Sequence, residues 1–276
     1  MKTSSVYNYQ DVKRLADAIR EISGETSLMN FPNDFIETIH KYKDNFLDGR
    51  TIRSYENHNI TKANSIIFSG STNIETVSMH SATDIGNIFK NCTNLKYVDL
   101  PNVVNVGNEC FDYCTSLEYL DLPCAKNAPV MNNCTSLLDI NFPEATTFSS
   151  AAFRNCNSIQ NIRLPKVSTI QGTMYAGSFG HCAMLKNVVL GSVTLIKGNN
   201  VFQNCPLFEA LVITQDSSIC ALEKNTAFDS STIKNGSGHI YVPDSLVEAY
   251  KTAENWSAYA NKIKSLSEYV ANGGVL

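Results

Sequence analysis

The most regular feature of the chain is a block of apolar and polar positions that repeats through its middle part. The clearest copies read NCTNLKYVDLP (91–101), YCTSLEYLDLP (113–123), NCTSLLDINFP (133–143) and NCNSIQNIRLP (155–165). Weaker copies stand at 181–191 and 204–214, and a copy without the cysteine at 70–80. With the cysteine as reference, successive copies are 21, 22, 20, 22, 26 and 23 residues apart. Repeats of this length indicate a solenoid whose stacked coils bury their apolar faces against one another.

Each copy carries apolar residues at fixed positions relative to this reference cysteine. The position three residues before it holds Phe68, Phe89, Phe111, Met131, Phe153, Phe179 and Phe202. Positions six and eight after it are apolar in every copy and alternate with polar ones, which predicts one short strand per coil and a parallel sheet along the solenoid. Since proline donates no backbone hydrogen bond, the strands are expected to end before Pro101, Pro123, Pro143 and Pro165. Two further apolar columns follow, starting with Ala82 and Ile85.

The chain has nine cysteines, an odd number that excludes a fully paired set of disulfides. Six of them occupy the reference position, one per coil, where a cysteine fills an interior position as a small hydrophobe. A metal or redox site would need cysteines and histidines that converge at one point, so this spacing disfavours both. Cys110 is also expected in the core, whereas Cys124 and Cys220 have no assigned role.

Composition narrows the range of partners. Charged residues make up 17% of the 276 residues, the net charge is −4, and no basic stripe is present. These features disfavour nucleic acid and anionic membranes as partners. No apolar run has the length of a signal peptide or a membrane span, so we expect a soluble chain that is not exported by the Sec route and is not inserted into a membrane.

The repeat pattern F-x-x-C-x-x-L-x-x-[VIL]-x-L-P resembles the BspA-like leucine-rich repeats of bacterial surface proteins. Seven clear copies, at 68–214, carry the resemblance. It implies an α/β fold, a right-handed leucine-rich-repeat solenoid with a short parallel strand per coil and helical caps at both ends. The segment 240–269 is similar to a helical end-piece of such arrays in gut bacteria, and 15–39 resembles a helical module found ahead of repeats in prophage and tail-associated proteins. These likenesses imply a surface- or virion-associated protein, and otherwise a cytoplasmic one.

Three regions follow from these patterns. Residues 1–45 are predicted to form a helical cap or docking module, 46–239 the solenoid, and 240–276 a C-terminal helical cap. A first partial coil is expected over residues 55–68. In the last region, Asp244 is expected to cap a helix that carries Leu246, Val247 and Tyr250. Trp256, the only tryptophan, is expected to pack onto the last coil.

The candidate ligand site lies on the outward face of the strands, which the resemblance implies is the concave, binding face. Our hypothesis places a patch at Tyr97, Tyr119, Asp99 and Asp121, suited to a carbohydrate or a basic peptide, because exposed paired aromatics favour interfaces. The alternative is that tyrosine is a good strand former and the aspartates a solvated row. Neighbouring coils lie about 4.8 Å apart, so the two carboxylates are expected to repel each other.

No catalytic motif, metal-ligand spacing or cofactor motif is present in the sequence. The leading prediction is therefore a non-enzymatic recognition protein for a protein or carbohydrate ligand at a bacterial or phage-associated surface. The second is a structural component of a phage tail or similar assembly, which self-association through residues 1–45 would favour. An enzyme is a remote third reading. The oligomeric state and the ligand are left open.

Overall fold

A computed structural model of the chain describes residues 53–63, 68–173 and 177–276. The helical module predicted over residues 1–45 lies outside these residues. The described chain winds into a solenoid of stacked coils, as the repeat predicts. Each coil contributes one short strand to a main row of strands, and these pair in parallel with the neighbouring coils.

The main row contains ten strands: β1 Ser54–Glu56, β3 Thr76–Ser78, β5 Tyr97–Asp99, β7 Tyr119–Asp121, β9 Asp139–Asn141, β11 Asn161–Leu164, β13 Asn187–Leu190, β15 Ala210–Ile213, β17 His239–Val242 and β18 Ile263–Ser265. The register aligns the repeat columns, so that Val77 lies opposite Val98 and Val188 opposite Leu211. Among the described residues, strand pairing divides this row into the groups β1-β3-β5, β7-β9 and β11-β13-β15-β17-β18. The strands stop before the four predicted prolines.

Each of the first eight coils also carries a second, shorter strand that the sequence analysis did not predict. These strands are β2 Lys62–Ala63, β4 Asp84–Ile85, β6 Asn105–Val106, β8 Asn127–Ala128, β10 Thr147–Phe148, β12 Thr169–Gln171, β14 Leu195–Lys197 and β16 Ala221–Leu222. Their buried residues form the apolar column noted from Ile85 onward, which Ala63 and Leu222 extend at its two ends. Because this column is also stacked coil on coil, the backbone beside it meets its own copies and pairs in parallel.

The core is continuous along the solenoid because each column stacks on its own copies. The rings of Phe89 and Phe111 stack with centroids 5.4 Å apart, and those of Phe179 and Phe202 at 5.0 Å. Met131 interrupts the phenylalanine column. Phe148, from a different column, lies with its ring centroid 5.3 Å from that of Phe153 on the following coil.

A left-handed turn precedes each reference cysteine. The residue before it has a positive φ in every case, from 54° at Asn204 to 64° at His181. Asparagine tolerates this conformation better than most residues and occupies it in four of the six coils. Tyr113, with φ 60°, adopts the same conformation without that advantage. The repeated asparagine is therefore a backbone requirement of the turn.

The reference cysteines are buried in the core, and their thiols also form hydrogen bonds with the backbone. Each thiol donates a hydrogen bond to the carbonyl of the phenylalanine-column residue one coil earlier, such as Cys114 to Phe89 at 3.1 Å and Cys205 to Phe179 at 3.0 Å. Burial raises the pKa of Cys205 to about 12, as it does for Cys110 and Cys220. These thiols therefore stay protonated at neutral pH, which makes them poor nucleophiles and poor metal ligands.

The C-terminal segment, residues 239–276, adds both strands and helices. Strand β17 pairs with β15, and β18 pairs with β17, so the predicted boundary at residue 240 falls inside a strand. The helices are α1 Thr232–Asn235, just before the segment, α2 Val247–Thr252 and α3 Leu266–Ala271, with 3-10 turns at Asp244–Leu246 and Trp256–Lys262.

Two side chains of this segment were singled out in the sequence. Trp256 packs onto the last coil as predicted, since it is fully buried beside Phe228 and its Nε1 donates to the Cys220 carbonyl at 2.6 Å. The predicted capping role of Asp244 was wrong. Its carboxylate caps none of its own helix and instead accepts hydrogen bonds from the backbone N–H and the hydroxyl of Ser267, in the first turn of α3.

Candidate functional site

The outward side chains of the main row form one surface, which we call the strand face. They stand five and seven residues after the reference cysteine, and the buried residue between them points into the core. The strand face has two parts with different surroundings: the open part over β1 to β9, and the covered part over β15 and β17, with β11 and β13 between them.

Tyr97 and Tyr119 stand on the open part, on the adjacent strands β5 and β7. Their side chains are 55% and 57% exposed, the largest values among the aromatic residues that the structure describes. Asp99 and Asp121 end the same two strands. The structure thus places the four predicted residues together on one surface, at the junction between two groups of paired strands.

The carboxylates of the two aspartates are hydrogen-bonded to neighbours on opposite sides, one on the preceding coil and one on the following coil. An Asp99 carboxylate oxygen lies 2.5 Å from Nε2 of His80, on the preceding coil, and accepts a bond from Ser78. Asp121 accepts a hydrogen bond from the amide of Asn141, its partner on the adjacent strand β9, at 2.9 Å. The expected repulsion between the carboxylates is therefore reduced by neighbours within the chain.

The charge of the open part has one sign. At the outward positions of β1, β3, β5, β7 and β9 the charged residues are Glu56, Asp99, Asp121 and Asp139. The first basic residue in these columns is Arg163, on β11. His58 and His80 stack beside this part with centroids 4.2 Å apart. The exposed tyrosine pair thus stands in an acidic setting.

The covered part is buried by the C-terminal segment. Ala210 and Val212 occupy outward positions of β15 but are 3% and 0% exposed, because Tyr241 and Tyr269 pack over them. The two tyrosine rings lie with centroids 4.9 Å apart. This cover was not predicted from the sequence, although Ala210 and Val212 are apolar at positions that are polar in most other coils, which is a signal for it.

A cavity of about 650 Å³ lies where the cover ends. Its floor is the strand face of β9 to β17, and its roof is formed by Tyr269 and residues 272–275. We call it the tail cavity. A Schellman turn shapes the roof: Gly273, with φ 86°, and Gly274 donate backbone hydrogen bonds to Val270 and Tyr269 at 3.0 and 2.9 Å. A Cβ at Gly274 would lie 2.4 Å from the Tyr269 ring, so only glycine packs flat on it.

The described ranges contain neither a cluster of metal-ligating side chains nor a membrane-spanning helix. No group of three or more histidine, cysteine, aspartate or glutamate residues within them is placed to hold a metal ion. None of the helices among the described residues is long and apolar enough to cross a membrane.

Coils with one main strand, a phenylalanine ladder and a thiol-bonded turn define a leucine-rich-repeat solenoid. The family model described as "BspA type Leucine rich repeat region", with six copies, matches residues 27–131 and 127–234. The chain belongs to this family.

Solved structures of bacterial repeat proteins are also similar to the chain. A leucine-rich-repeat protein of T. pallidum is 24% identical, with a TM-score of 0.46, over 54% of this chain and 72% of that one. One from Bacteroides ovatus is 19% identical, with a TM-score of 0.36, over 62% of this chain and 42% of that one. A leucine-rich cell surface protein of Faecalibacterium prausnitzii is 16% identical, with a TM-score of 0.31, over 80% and 90%. The comparison with curated proteins gave no match.

Proposed function

We propose that this protein is a non-enzymatic recognition protein that presents the open part of its strand face to a partner at a bacterial or phage-associated surface. The observation that carries the proposal is the exposed pair Tyr97 and Tyr119 on adjacent strands. Tyrosine supplies a large contact area with few rotatable bonds and a hydroxyl for hydrogen bonding. It is accordingly enriched among residues that dominate binding energy.

The charge of the open part favours a protein partner with a basic segment over a neutral glycan. Asp99 and Asp121 flank the tyrosines, and the outward charged side chains over β1 to β9 are acidic. Such a surface attracts lysine and arginine side chains and accelerates their approach at low ionic strength. A neutral glycan can hydrogen-bond to these carboxylates but is not attracted by their net charge.

The absence of catalysis is part of the same proposal. The repeat family and fold are typically non-enzymatic. The buried cysteines, with their raised pKa, offer no activated nucleophile. A rigid surface with stacked, backbone-paired coils is suited to recognition.

The test is binding of the labelled chain to intact bacterial cells, to host epithelial cells and to purified cell-wall glycans. We expect one class of cells to bind it, and prior protease treatment of those cells to abolish binding. The Tyr97→Ala/Tyr119→Ala variant is expected to bind at least about tenfold more weakly, since two interface tyrosines are lost. Loss of binding after periodate treatment instead would identify a glycan.

Tyr113→Asn is the matched control. Tyr113 is also exposed, but it lies in the turn before Cys114, away from the strand face, and asparagine fills that position in four other coils. The control should bind as the wild type does. Equal binding by the double variant and the wild type would refute the proposed site.

A further inference from the structure

The tail cavity has the size of a small-molecule site and opens to solvent along one side. Its volume of about 650 Å³ falls within the range of roughly 300–1,000 Å³ that such sites span. A rigid sheet forms one side, and the α3 turn with its flat Gly274–Tyr269 contact forms the other. Tyr97 and Tyr119 do not line this cavity, although Asp139, at its edge, lies opposite Tyr119 in the strand register, so it is a second candidate site that borders the first on the same face.

Three charged side chains face this cavity without an ion pair. Arg163, Asp139 and Glu209 line it, and no ion pair within 4.0 Å joins any of them to another residue in the described part of the chain. The Asp139 carboxylate accepts a single backbone hydrogen bond, from Ile140 at 2.8 Å. Donors and acceptors of full charge are therefore available to a ligand from the same walls.

The side-chain amides of Asn161 and Asn187 add further hydrogen-bond donors and acceptors to the cavity. Asn187 donates one of its two amide hydrogens to the Asn161 carbonyl oxygen at 2.8 Å. This bond leaves the Asn161 amide nitrogen and the Asn187 carbonyl oxygen with capacity for further bonds, because each asparagine side chain offers two donors and two acceptor sites. Both residues line the cavity.

An apolar strip completes the lining. Val189 and Ala210 form part of the floor, and Tyr241 and Tyr269 form the adjoining wall. Burial raises the pKa of Tyr269, while the Val275 backbone and the nearby Arg163 charge act in the opposite direction. The phenol therefore stays neutral and can take part in hydrogen bonds at physiological pH.

This combination selects a class of ligand. A simple anion would be repelled by the carboxylates of Asp139 and Glu209, and a simple cation by the guanidinium of Arg163. A neutral saccharide is repelled by neither kind of charge. Each of its hydroxyls both donates and accepts hydrogen bonds, and its C–H faces can lie on Val189 and the tyrosine rings. We propose that the tail cavity binds a neutral saccharide of one or two sugar units, held by Arg163, Glu209 and the Asn161–Asn187 amide pair.

The test uses the full chain and a panel of neutral mono- and disaccharides: glucose, galactose, mannose, N-acetylglucosamine, lactose and cellobiose. Saturation-transfer NMR detects contact, and titration of a bound sugar gives its Kd. We expect at least one sugar to bind. Arg163→Gln and Glu209→Gln should each weaken that sugar about tenfold, because hydrogen bonds to charged groups are lost. Both positions are exposed, so the fold is retained.

Lys224→Gln is the matched control, an exposed charge removed outside the cavity, and it should leave the Kd unchanged. No contact with any sugar, or equal Kd values for wild type and both cavity variants, would overturn the proposal. So would stronger binding of a dicarboxylate or a basic dipeptide that is lost in the same variants. The Tyr97→Ala/Tyr119→Ala variant should retain the sugar, so this proposal and that for the open part fail separately.

Discussion

Two tyrosine pairs stand on the strand face and have opposite surroundings. Tyr97 and Tyr119 are more than half exposed over the open part, whereas Tyr241 and Tyr269 are 8% and 9% exposed over the covered part. The same residue type thus serves the surface in one place and a small core in the other. The difference arises because the C-terminal segment returns over β15 and β17 but does not reach the first coils.

Raising the pH is expected to have the largest effect on stability and to act on both parts alike, because buried cysteines lie beneath both. Burial raises the folded-state pKa of these thiols from about 9 to about 12 for Cys110, Cys205 and Cys220. The stabilisation is complete below pH 9 and is lost as the pH rises toward 12, at about 1.4 kcal/mol per thiol for each pH unit.

Urea unfolding between pH 7 and pH 11 measures this loss. The expected result is a flat unfolding midpoint up to about pH 9 and a steep fall above it. A midpoint that stays level to pH 11 would show that the thiols are not buried as described.

Trp256→Ala should have the next largest effect and act first on the covered part. It removes a fully buried indole and its bond to the Cys220 carbonyl, at an expected loss of about 3–5 kcal/mol in the free energy of unfolding. Because coils contact only their neighbours, hydrogen exchange should rise first in β15 to β18. Trp256→Phe, which keeps the ring packing, should lose less. Uniform exchange along the solenoid would contradict this account.

Tyr269→Ala and Tyr97→Ala compare the two parts with one kind of substitution. The first uncovers Ala210 and Val212 and is expected to lower the free energy of unfolding by about 2 kcal/mol. The second changes an exposed side chain and should stay within about 0.5 kcal/mol of the wild type. Chemical denaturation of both variants provides the measurement. Equal effects would remove the distinction between covered and open parts.

The smallest expected effect is a gain in stability. Tyr113→Asn places the residue used in four other coils at φ 60°, and should raise the free energy of unfolding by about 0.5 kcal/mol. Thermal unfolding is sensitive enough to detect it. Tyr113→Ala, which lacks the asparagine preference for this conformation, is the control and should show no such gain.

The periodic elements of this fold could be predicted because each rests on a column of like residues. The main strands, the burial of the cysteines and the position of the exposed tyrosines all follow from the spacing. The second strand row was not predicted because strands of two or three residues are too short to show a period. The cover over β15 was not predicted because Tyr269 lies outside the repeat. A contact between the C-terminal segment and one coil does not recur, so it produces no regular spacing in the sequence.

The same limit applies to the candidate sites. Tyr97, Tyr119, Asp99 and Asp121 could be proposed because they stand in aligned columns. Their hydrogen bonds to His80 and Asn141 depend on side-chain directions that a column does not record. The tail cavity needs Arg163 and Gly274 to meet across more than a hundred residues, and only the fold brings them together.

The most direct test of the central claim is the binding isotherm of the Tyr97→Ala/Tyr119→Ala variant on the cells that the wild type binds, measured beside its urea unfolding curve. We expect binding weaker by at least about tenfold with an unchanged unfolding midpoint, since both side chains are exposed. An isotherm that coincides with the wild type, for a variant that unfolds at the wild-type midpoint, would contradict recognition by the open part of the strand face.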